Sequence, residues 1–349
     1  MPDIKPFSST VIGSVPYADA AEAVEIMKDI TIPAFPQMVK ITPWEDMLFS
    51  ALEGLPGLIV DPAQMTVRGR RNNRENELAD FYAKFLAGER DFLALPPDSS
   101  RGFTAMLDRA AVDPTFGPEF LKAQVIGPLT FGQMVLMEDE KNALVDDQEL
   151  LEATALALGG KAAWEARRIR DLGRTPVIFI DEPGLASFGS AFSTLTADTV
   201  IQTMGSAAGV VREDGPVFIG CHICGNTDWS MMMETGIDIV NFDAFEIMEQ
   251  FSLYPKQLRA FLEKGGLVAW GIVPSQGYSL DLTADFLIQK LEQGWLGLDK
   301  KGVPRELLAS RSIITAACGQ GMLTPELARA ATGMISAVSE KLEKMALIA

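Results

Sequence analysis

The stretch Pro216-Val217-Phe218-Ile219-Gly220-Cys221-His222-Ile223-Cys224 joins a buried strand to reactive side chains at its end. Its first residues are apolar and partly β-branched, which predicts a strand with both faces covered. The strand runs into His222, the single histidine among 349 residues. Because side chains alternate along a strand, His222 and Cys224 share one face, whereas Cys221 points to the other face and is predicted to be a core cysteine.

His222 and Cys224 are candidate ligands of a metal ion. The third cysteine, Cys318, lies far downstream, and at a second strand end it could complete a three-ligand zinc site. Three protein ligands with one open position are typical of catalytic zinc. Two other interpretations stay open at this point. Lone histidines and cysteines are common in cores, and Cys221-x-x-Cys224 could be a redox pair or half of a zinc ribbon, although no second Cys-x-x-Cys completes a ribbon.

Similar apolar strands recur along the chain and alternate with helical segments. This alternation predicts an α/β fold with a parallel sheet covered by helices. Eight such units in a chain of this length favour a (β/α)₈ TIM barrel. The predicted strands are Thr10–Ser14, Ile32–Phe35, Gln124–Thr130, Val177–Asp181, Val217–His222, Asp238–Asp243, Leu267–Gly271 and Ile313–Ala317.

A long connection follows the second predicted strand. We expect one barrel domain over residues 1–349, with an insertion at about 38–123 that contains a hairpin and a helix near Leu78–Leu86. Long insertions in compact domains often form lids or binding loops. The insertion also carries a basic cluster. Because acidic residues lie nearby in the sequence, we interpret this cluster as a solvated face rather than as an anion-binding patch. The cluster consists of Arg68, Arg70, Arg71 and Arg74.

The composition excludes two classes of partner. A net charge of −17 argues against nucleic acid, because binding to the phosphate backbone relies on clustered lysine and arginine. No stretch approaches the roughly 20 apolar residues of a membrane span, and the N-terminus lacks a basic segment followed by an apolar run. Three cysteines without a secretory signal suit a reducing compartment, so we expect a cytoplasmic protein with no membrane partner.

Polar motifs lie at the carboxyl ends of most predicted strands, where barrel enzymes build their sites. They are Ile12-Gly13-Ser14, Gly127-Pro128-Leu129-Thr130, Ile180-Asp181-Glu182-Pro183, His222-Ile223-Cys224, Asp243 and Cys318-Gly319. In order and spacing they resemble the catalytic half of cobalamin-independent methionine synthase. Its superfamily also includes uroporphyrinogen decarboxylase and the methylcobalamin:coenzyme M methyltransferases. The resemblance extends from about Thr10 to Lys344.

This resemblance implies a (β/α)₈ barrel in which a His-x-Cys pair, a remote cysteine and an acidic residue hold Zn²⁺. It therefore assigns His222, Cys224 and Cys318 as zinc ligands with a catalytic role. For the acidic ligand, matching strand ends gives Asp243, which we prefer because a strand end fixes a ligand better than a following helix does. Counting residues from the His-x-Cys motif gives Glu246 instead.

The resemblance also implies residues that hold a thiol substrate. Ile12 and Ser14 match positions that bind the backbone of homocysteine. Asp181 matches the acid that pairs with its amino group, and it is the fourth catalytic candidate. Glu182, which follows Asp181 in the same motif, is assigned to substrate binding with it.

The activity that the resemblance implies is transfer of a methyl group to a zinc-bound thiol, with homocysteine giving methionine. The chain corresponds to the catalytic half alone, and Phe131-Gly132-Gln133-Met134 lacks the tryptophan with which the family covers folate. These departures favour methylcobalamin or another methyl-corrinoid as donor, presented by a separate corrinoid protein, over folate.

Three alternatives remain in view. A methylcobalamin:coenzyme M-type methyltransferase would not need Asp181, because coenzyme M carries a sulfonate and no amino group. A uroporphyrinogen decarboxylase-like enzyme would leave the His-x-Cys pair unexplained, and Val15-Pro16-Tyr17 replaces the arginine-rich entry that it needs. A non-catalytic corrinoid-binding module would have a filled or metal-free pocket.

Overall fold

A curled sheet of parallel strands forms the centre of the computed structural model, which describes residues 1–190 and 193–346. In this part of the chain the strands are β1 (Ser8–Ser9), β2 (Leu58–Asp61), β3 (Thr66–Gly69), β4 (Phe120–Ile126), β5 (Leu136–Met137), β6 (Thr175–Asp181), β7 (Phe218–Ile223), β8 (Ile239–Phe242), β9 (Leu267–Val273) and β10 (Ser312–Ala316). Seven of them pair in the order β1-β10-β9-β8-β7-β6-β4, and β2, β3 and β5 form a second sheet. The parallel α/β sheet is confirmed.

Helices separate the strands and cover the outside of the curled sheet. Several begin where a side chain accepts a hydrogen bond from the first turn, as Asp147, Thr196 and Thr283 do. The described helices are α1 (Ala20–Glu25), α2 (Glu75–Leu86), α3 (Arg101–Val112), α4 (Pro128–Met134), α5 (Gln148–Arg170), α6 (Ala197–Glu213), α7 (Trp229–Met232), α8 (Met248–Phe251), α9 (Pro255–Glu263), α10 (Ala284–Asp299), α11 (Arg305–Ser310) and α12 (Pro325–Ala346). Among these helices, none is both long enough and apolar enough to cross a membrane.

Regular strand pairing does not close the sheet into an eight-stranded barrel, so the sheet is a TIM-like half-barrel with β1 and β4 at its edges. The second predicted strand, Ile32–Phe35, lies between these edges but is not a regular strand. Ile32 N donates to Ser9 O over 2.9 Å, and Phe35 N donates to Lys122 O over 2.8 Å. Pro33 and Pro36 have no N–H group to donate, which limits the segment to isolated bridges.

The third predicted strand, Gln124–Thr130, was placed too far along the chain. The strand ends at Ile126, and Pro128 begins helix α4. Proline favours the first position of a helix because its fixed φ suits the helix and its missing N–H group needs no partner there. The motif Gly127-Pro128-Leu129-Thr130 is therefore the junction between β4 and α4.

Strand alternation separates two apolar clusters and leads directly to the polar site. In β6, Phe179 belongs to the cluster inside the curled sheet, and Ile178 belongs to the cluster against the helices. Continuing the same alternation places Asp181 on the inner face, and it does the same for His222 in β7 and Asn241 in β8. The inner apolar cluster, which lies below these residues, consists of Ile4, Ile12, Ile32, Phe120, Val177, Phe179, Ile239, Leu267, Ala269 and Ile313.

Residues between Gln37 and β4 contain the predicted hairpin, observed as β2 and β3, and the predicted helix, observed as α2. All four arginines of the basic cluster contact acidic side chains, as the solvated-face interpretation requires. The ion pairs are Arg68–Glu140, Arg70–Glu77, Arg71–Asp139, Arg74–Asp147 and Arg74–Glu149.

Replacing Arg74 by alanine is expected to lower the free energy of unfolding by about 1.5–3 kcal/mol, the usual value of hydrogen bonds to charged groups. The Arg74 side chain is only 12% exposed and donates to both carboxylate oxygens of Asp147, over 2.6 and 3.0 Å. Arg71→Ala is the matched control, because Arg71 is 54% exposed in its pair with Asp139. It should cost about 1 kcal/mol or less. Urea unfolding measures both, and equal losses would contradict the prediction.

Candidate metal centre

The ends of three neighbouring strands bring the polar residues of the site together. Asp181 in β6 is the register partner of His222 in β7, and His222 is the register partner of Asn241 in β8. Neighbouring strands lie about 4.8 Å apart, so these side chains meet at the carboxyl edge of the sheet. Cys224 follows β7 by one residue, and Cys318 follows β10 by two residues.

The structure brings His222, Cys224 and Cys318 into one group, in which one ligand atom from each residue lies within 4.8 Å of the others. His222 is buried, and the two cysteines are partly buried. Cys221 lies in the core on the other face of β7, as the alternation predicted. The three residues, predicted from two widely separated motifs, therefore form a compact cluster of one imidazole and two thiols.

The donor atoms of this cluster fit a zinc ion. Nδ1 of His222 lies 2.6 Å from Oδ1 of Asn241, whereas Nε2 is buried and has no hydrogen-bond partner among the described residues. A buried imidazole nitrogen without a partner is costly unless a ligand occupies its lone pair. Imidazole nitrogen with two thiolates is a ligand set that zinc uses in catalytic sites.

Local electrostatics favour a thiolate at this cluster. Hydrogen bonding from the Cys318 thiol is the largest cause that lowers the pKa of Cys224 to about 4, and the charge of a nearby His222 imidazole lowers it as well. The negative charge on Cys224 in turn raises the pKa of Cys318 through the same contact. Only one of the two sulfurs is therefore favoured as a thiolate, and a divalent cation bound there would allow both to be thiolates.

Both candidates for the acidic ligand lie outside this three-residue group. Oδ1 of Asp243 accepts hydrogen bonds from the backbone N–H groups of Phe245 and Glu246, over 3.0 and 2.9 Å. Burial raises the pKa of Asp243. Its carboxylate therefore fixes the turn after β8, and its role as the fourth ligand stays a prediction, as does the alternative at Glu246.

Asp181 offers a buried carboxylate oxygen beside the cluster. The residue is 6% exposed, and its Oδ1 has no hydrogen-bond partner within the described ranges. Burial raises the pKa of Asp181, and the positive charge of Lys122 opposes that rise. An unpartnered carboxylate oxygen is suited to accept a hydrogen bond from a cationic ligand group.

Glu182 differs from Asp181, because protein donors already engage its carboxylate. Oε1 accepts from Leu129 N over 3.0 Å, and Oε2 accepts from the N–H and hydroxyl groups of Thr130 over 2.7 and 2.6 Å. Burial raises the pKa of Glu182, the three donors oppose that rise, and the net result is a pKa of about 7. Glu182 joins the end of β6 to the start of α4, and its assignment to substrate binding stays a prediction.

Adding a single methyl group at Gly127 is expected to disrupt this junction. A Cβ atom on Gly127 would overlap the carboxyl group of Glu182. Gly127→Ala should therefore lower the free energy of unfolding by about 1–3 kcal/mol, as overpacking does in cores. Gly209→Ala in α6 is the control, because no atom lies within 4 Å of the added Cβ there. It should stabilise the helix by up to about 1 kcal/mol. Thermal unfolding measures both, and a neutral Gly127→Ala variant would contradict this close contact.

Ser14 lies against the loop that carries Cys318. Gln320 N donates to Ser14 O over 2.7 Å, and a Cβ atom on Gly319 would lie 2.6 Å from Ser14 Oγ. Ile12 is buried in the inner apolar cluster. The structure thus brings Ser14 to the same edge as the metal cluster and places Ile12 beneath it, while the substrate contacts of both remain predictions.

Two buried polar residues near the site were not predicted from the sequence. Asn241 is fully buried and contacts His222. Lys122 is fully buried, and its Nζ donates to Gln124 Oε1 over 3.0 Å. Burial lowers the pKa of Lys122 to about 8. A polar residue on the inward-facing register of an apolar strand was the available signal in both cases.

Comparison with known proteins adds information on the fold. No protein-family model matches the chain, and no curated protein sequence matches it. A solved B12-independent methionine synthase from Shewanella sp. W3-18-1, in complex with selenomethionine, is 16% identical with a TM-score of 0.58, over 99% of this chain and 100% of that chain. A candidate vitamin-B12 independent methionine synthase from Listeria monocytogenes is 14% identical with a TM-score of 0.57, over 97% and 99% of the two chains. The chain shares the fold of these two proteins over almost its whole length.

Proposed function

We propose that this protein is a zinc-dependent methyltransferase that transfers a methyl group to a thiol, with homocysteine as the acceptor. The observation that carries the proposal is the cluster of His222, Cys224 and Cys318, in which the Nε2 atom of the histidine has no partner among the described residues. The shared fold of two proteins described as B12-independent methionine synthases supports it.

One group of side chains holds the metal that binds the substrate sulfur, and a second group binds the rest of the substrate. His222, Cys224 and Cys318 would hold the metal, with Asp243 as the proposed fourth ligand. Zinc bound there would supply the positive charge that keeps a substrate thiol deprotonated and nucleophilic at neutral pH. Asp181 accepts a hydrogen bond from the substrate ammonium through its free Oδ1, which orients the sulfur toward the cluster. Ser14 contacts the substrate backbone.

The methyl donor is a methylated corrinoid or a methylated folate. The sequence favours the corrinoid, because Phe131-Gly132-Gln133-Met134 has no tryptophan to cover a folate. The description of both fold relatives as B12-independent favours a donor other than a corrinoid. In either case a carbon–sulfur bond forms, the bond between the methyl carbon and the donor breaks with its electron pair left on the donor, and the thiol proton leaves to solvent. A folate donor takes up a proton at the released nitrogen, whereas the cobalt of a corrinoid keeps the electron pair.

Zinc content and methyl transfer, measured on the same purified sample, test the proposal. The acceptors are homocysteine and coenzyme M, and the donors are methylcobalamin and methyltetrahydrofolate. One zinc per chain with homocysteine-dependent methionine formation is the expected result, and the donor that is consumed identifies the donor class. A preference for coenzyme M would replace the proposed acceptor. Absence of both zinc and thiol-dependent turnover would overturn the proposal.

A further inference from the structure

We propose that Asn241 is a positioning residue that fixes the tautomer of His222, so that Nδ1 carries the proton and Nε2 offers its lone pair to the metal. The metal-binding half of this inference rests on the proposed function. The tautomer itself does not, because the contacts among protein groups determine it.

The orientation of the Asn241 amide follows from its surroundings. Its Nδ2 group donates to Ala269 O over 2.7 Å and to Thr315 Oγ1 over 2.9 Å. The Thr315 hydroxyl donates its own proton to Ala316 O over 2.9 Å, so it accepts from Asn241. A backbone carbonyl can only accept, which identifies the atom facing it as the amide nitrogen. Oδ1 is therefore the atom that faces His222.

The histidine tautomer follows from the amide orientation. Oδ1 of Asn241 is an acceptor, and it lies 2.6 Å from Nδ1 of His222, so Nδ1 must donate. A neutral imidazole carries one proton, which leaves Nε2 with a free lone pair. That atom is buried and without a partner among the residues that the structure describes. The protein thus prepares the nitrogen that a metal needs before any metal binds.

The same hydrogen bonds tie together the strands that carry the ligands. Asn241 in β8 contacts His222 in β7, the backbone of β9 and Thr315 in β10. Thr315 precedes Cys318 by three residues, and Asn241 precedes Asp243 by two. One fully buried amide therefore connects four neighbouring strands directly below the cluster. Groups that orient ligating histidines in this way typically change metal affinity by about 10- to 100-fold when they are removed.

The single histidine of the chain makes the tautomer directly observable. Nitrogen-15 NMR of protein labelled at histidine yields the signals of one imidazole, at mildly alkaline pH without metal and again with zinc. The wild-type protein should carry its proton on Nδ1 in both states, with the shift of Nε2 changing when zinc binds. A proton on Nε2 without metal, or a zinc-induced shift at Nδ1, would overturn the proposal even if no variant folds.

Two variants separate positioning from packing. Asn241→Leu is nearly isosteric but has no acceptor, so it should lose the single tautomer and bind zinc about 10- to 100-fold more weakly in competition with a chelator. Asn241→Asp keeps the acceptor that faces Nδ1 but loses the two donated hydrogen bonds to Ala269 O and Thr315 Oγ1, so it should be less stable while the folded protein retains the Nδ1 proton and most of the zinc affinity. Unchanged affinity in Asn241→Leu, or equal losses in both variants, would overturn the role of Asn241. These readouts do not involve methyl transfer, so an inactive enzyme would count against the proposed function and not against this inference.

Discussion

Replacing Cys224 or Cys318 by alanine is expected to abolish zinc binding and thiol methylation together while the fold is retained. Each substitution removes one of three clustered ligand atoms. The loss of zinc affinity should exceed the roughly 10- to 100-fold that changes around a ligand cause. Both cysteines are only partly buried and lie beyond the ends of their strands, so their removal takes little apolar surface from the core. Metal analysis, circular dichroism and the methyl-transfer assay on the same preparation measure the three quantities.

The third cysteine supplies the matched control. Cys221 lies one residue from His222 but on the opposite face of β7, within the apolar core. Cys221→Ala should bind zinc and transfer methyl groups normally, at a cost in stability of about 1 kcal/mol from the lost packing. If Cys221→Ala loses zinc as Cys224→Ala does, the cluster is not the metal site. Retention of zinc and activity in Cys318→Ala would remove Cys318 from the ligand set.

Replacing Asp181 by asparagine is expected to raise the KM for homocysteine by about 10- to 100-fold, because a hydrogen bond between charged groups typically contributes about 1.5–3 kcal/mol. The carboxylate is buried, and its Oδ1 has no partner among the described residues. Asparagine keeps the shape of the side chain but removes the negative charge that attracts an ammonium group. The KM for the methyl donor should change little, since the donor has no part in that contact.

A thiol without an amino group provides the control for this variant. For such an acceptor, wild-type protein and Asp181→Asn should have similar KM values, because the contact with Asp181 is missing in both. Zinc content should also be unchanged, which separates substrate binding from damage to the metal cluster. Equal effects of the substitution on both thiols would contradict the role of Asp181 in recognising the amino group.

Much of the architecture could be predicted from local patterns. The strand predicted at Val177–Asp181 is observed as β6, and the helix predicted near Leu78–Leu86 is observed as α2. The prediction was wrong at Ile32–Phe35, where apolar residues suggested a strand. The pattern of apolar residues does not reveal that two prolines lack the backbone N–H groups that regular strand pairing requires. It also extended β4 across Pro128, where the chain turns into a helix.

The candidate site, like the fold, could be predicted from the sequence only in part. Alternation within one strand was enough to separate His222 and Cys224 from Cys221. Cys318 lies beyond the regular strand β10, so no alternation could set its direction. Asn241 and Lys122 were missed because their importance depends on which strand lies beside them, and the sequence does not state strand neighbours.

The sequence by itself determined the α/β class, the face on which His222 lies, and the identity of the candidate ligands. Those properties follow from the period of a strand and from the chemistry of single residue types. Only the tertiary structure decided that His222, Cys224 and Cys318 meet within 4.8 Å, that Glu182 is engaged by α4, and that Asn241 orients the imidazole. The hydrogen bonds of Asn241 to side chains join residues that are 19 and 74 positions apart in the sequence. The order and register of the strands bring these residues together, and neither can be read from the sequence.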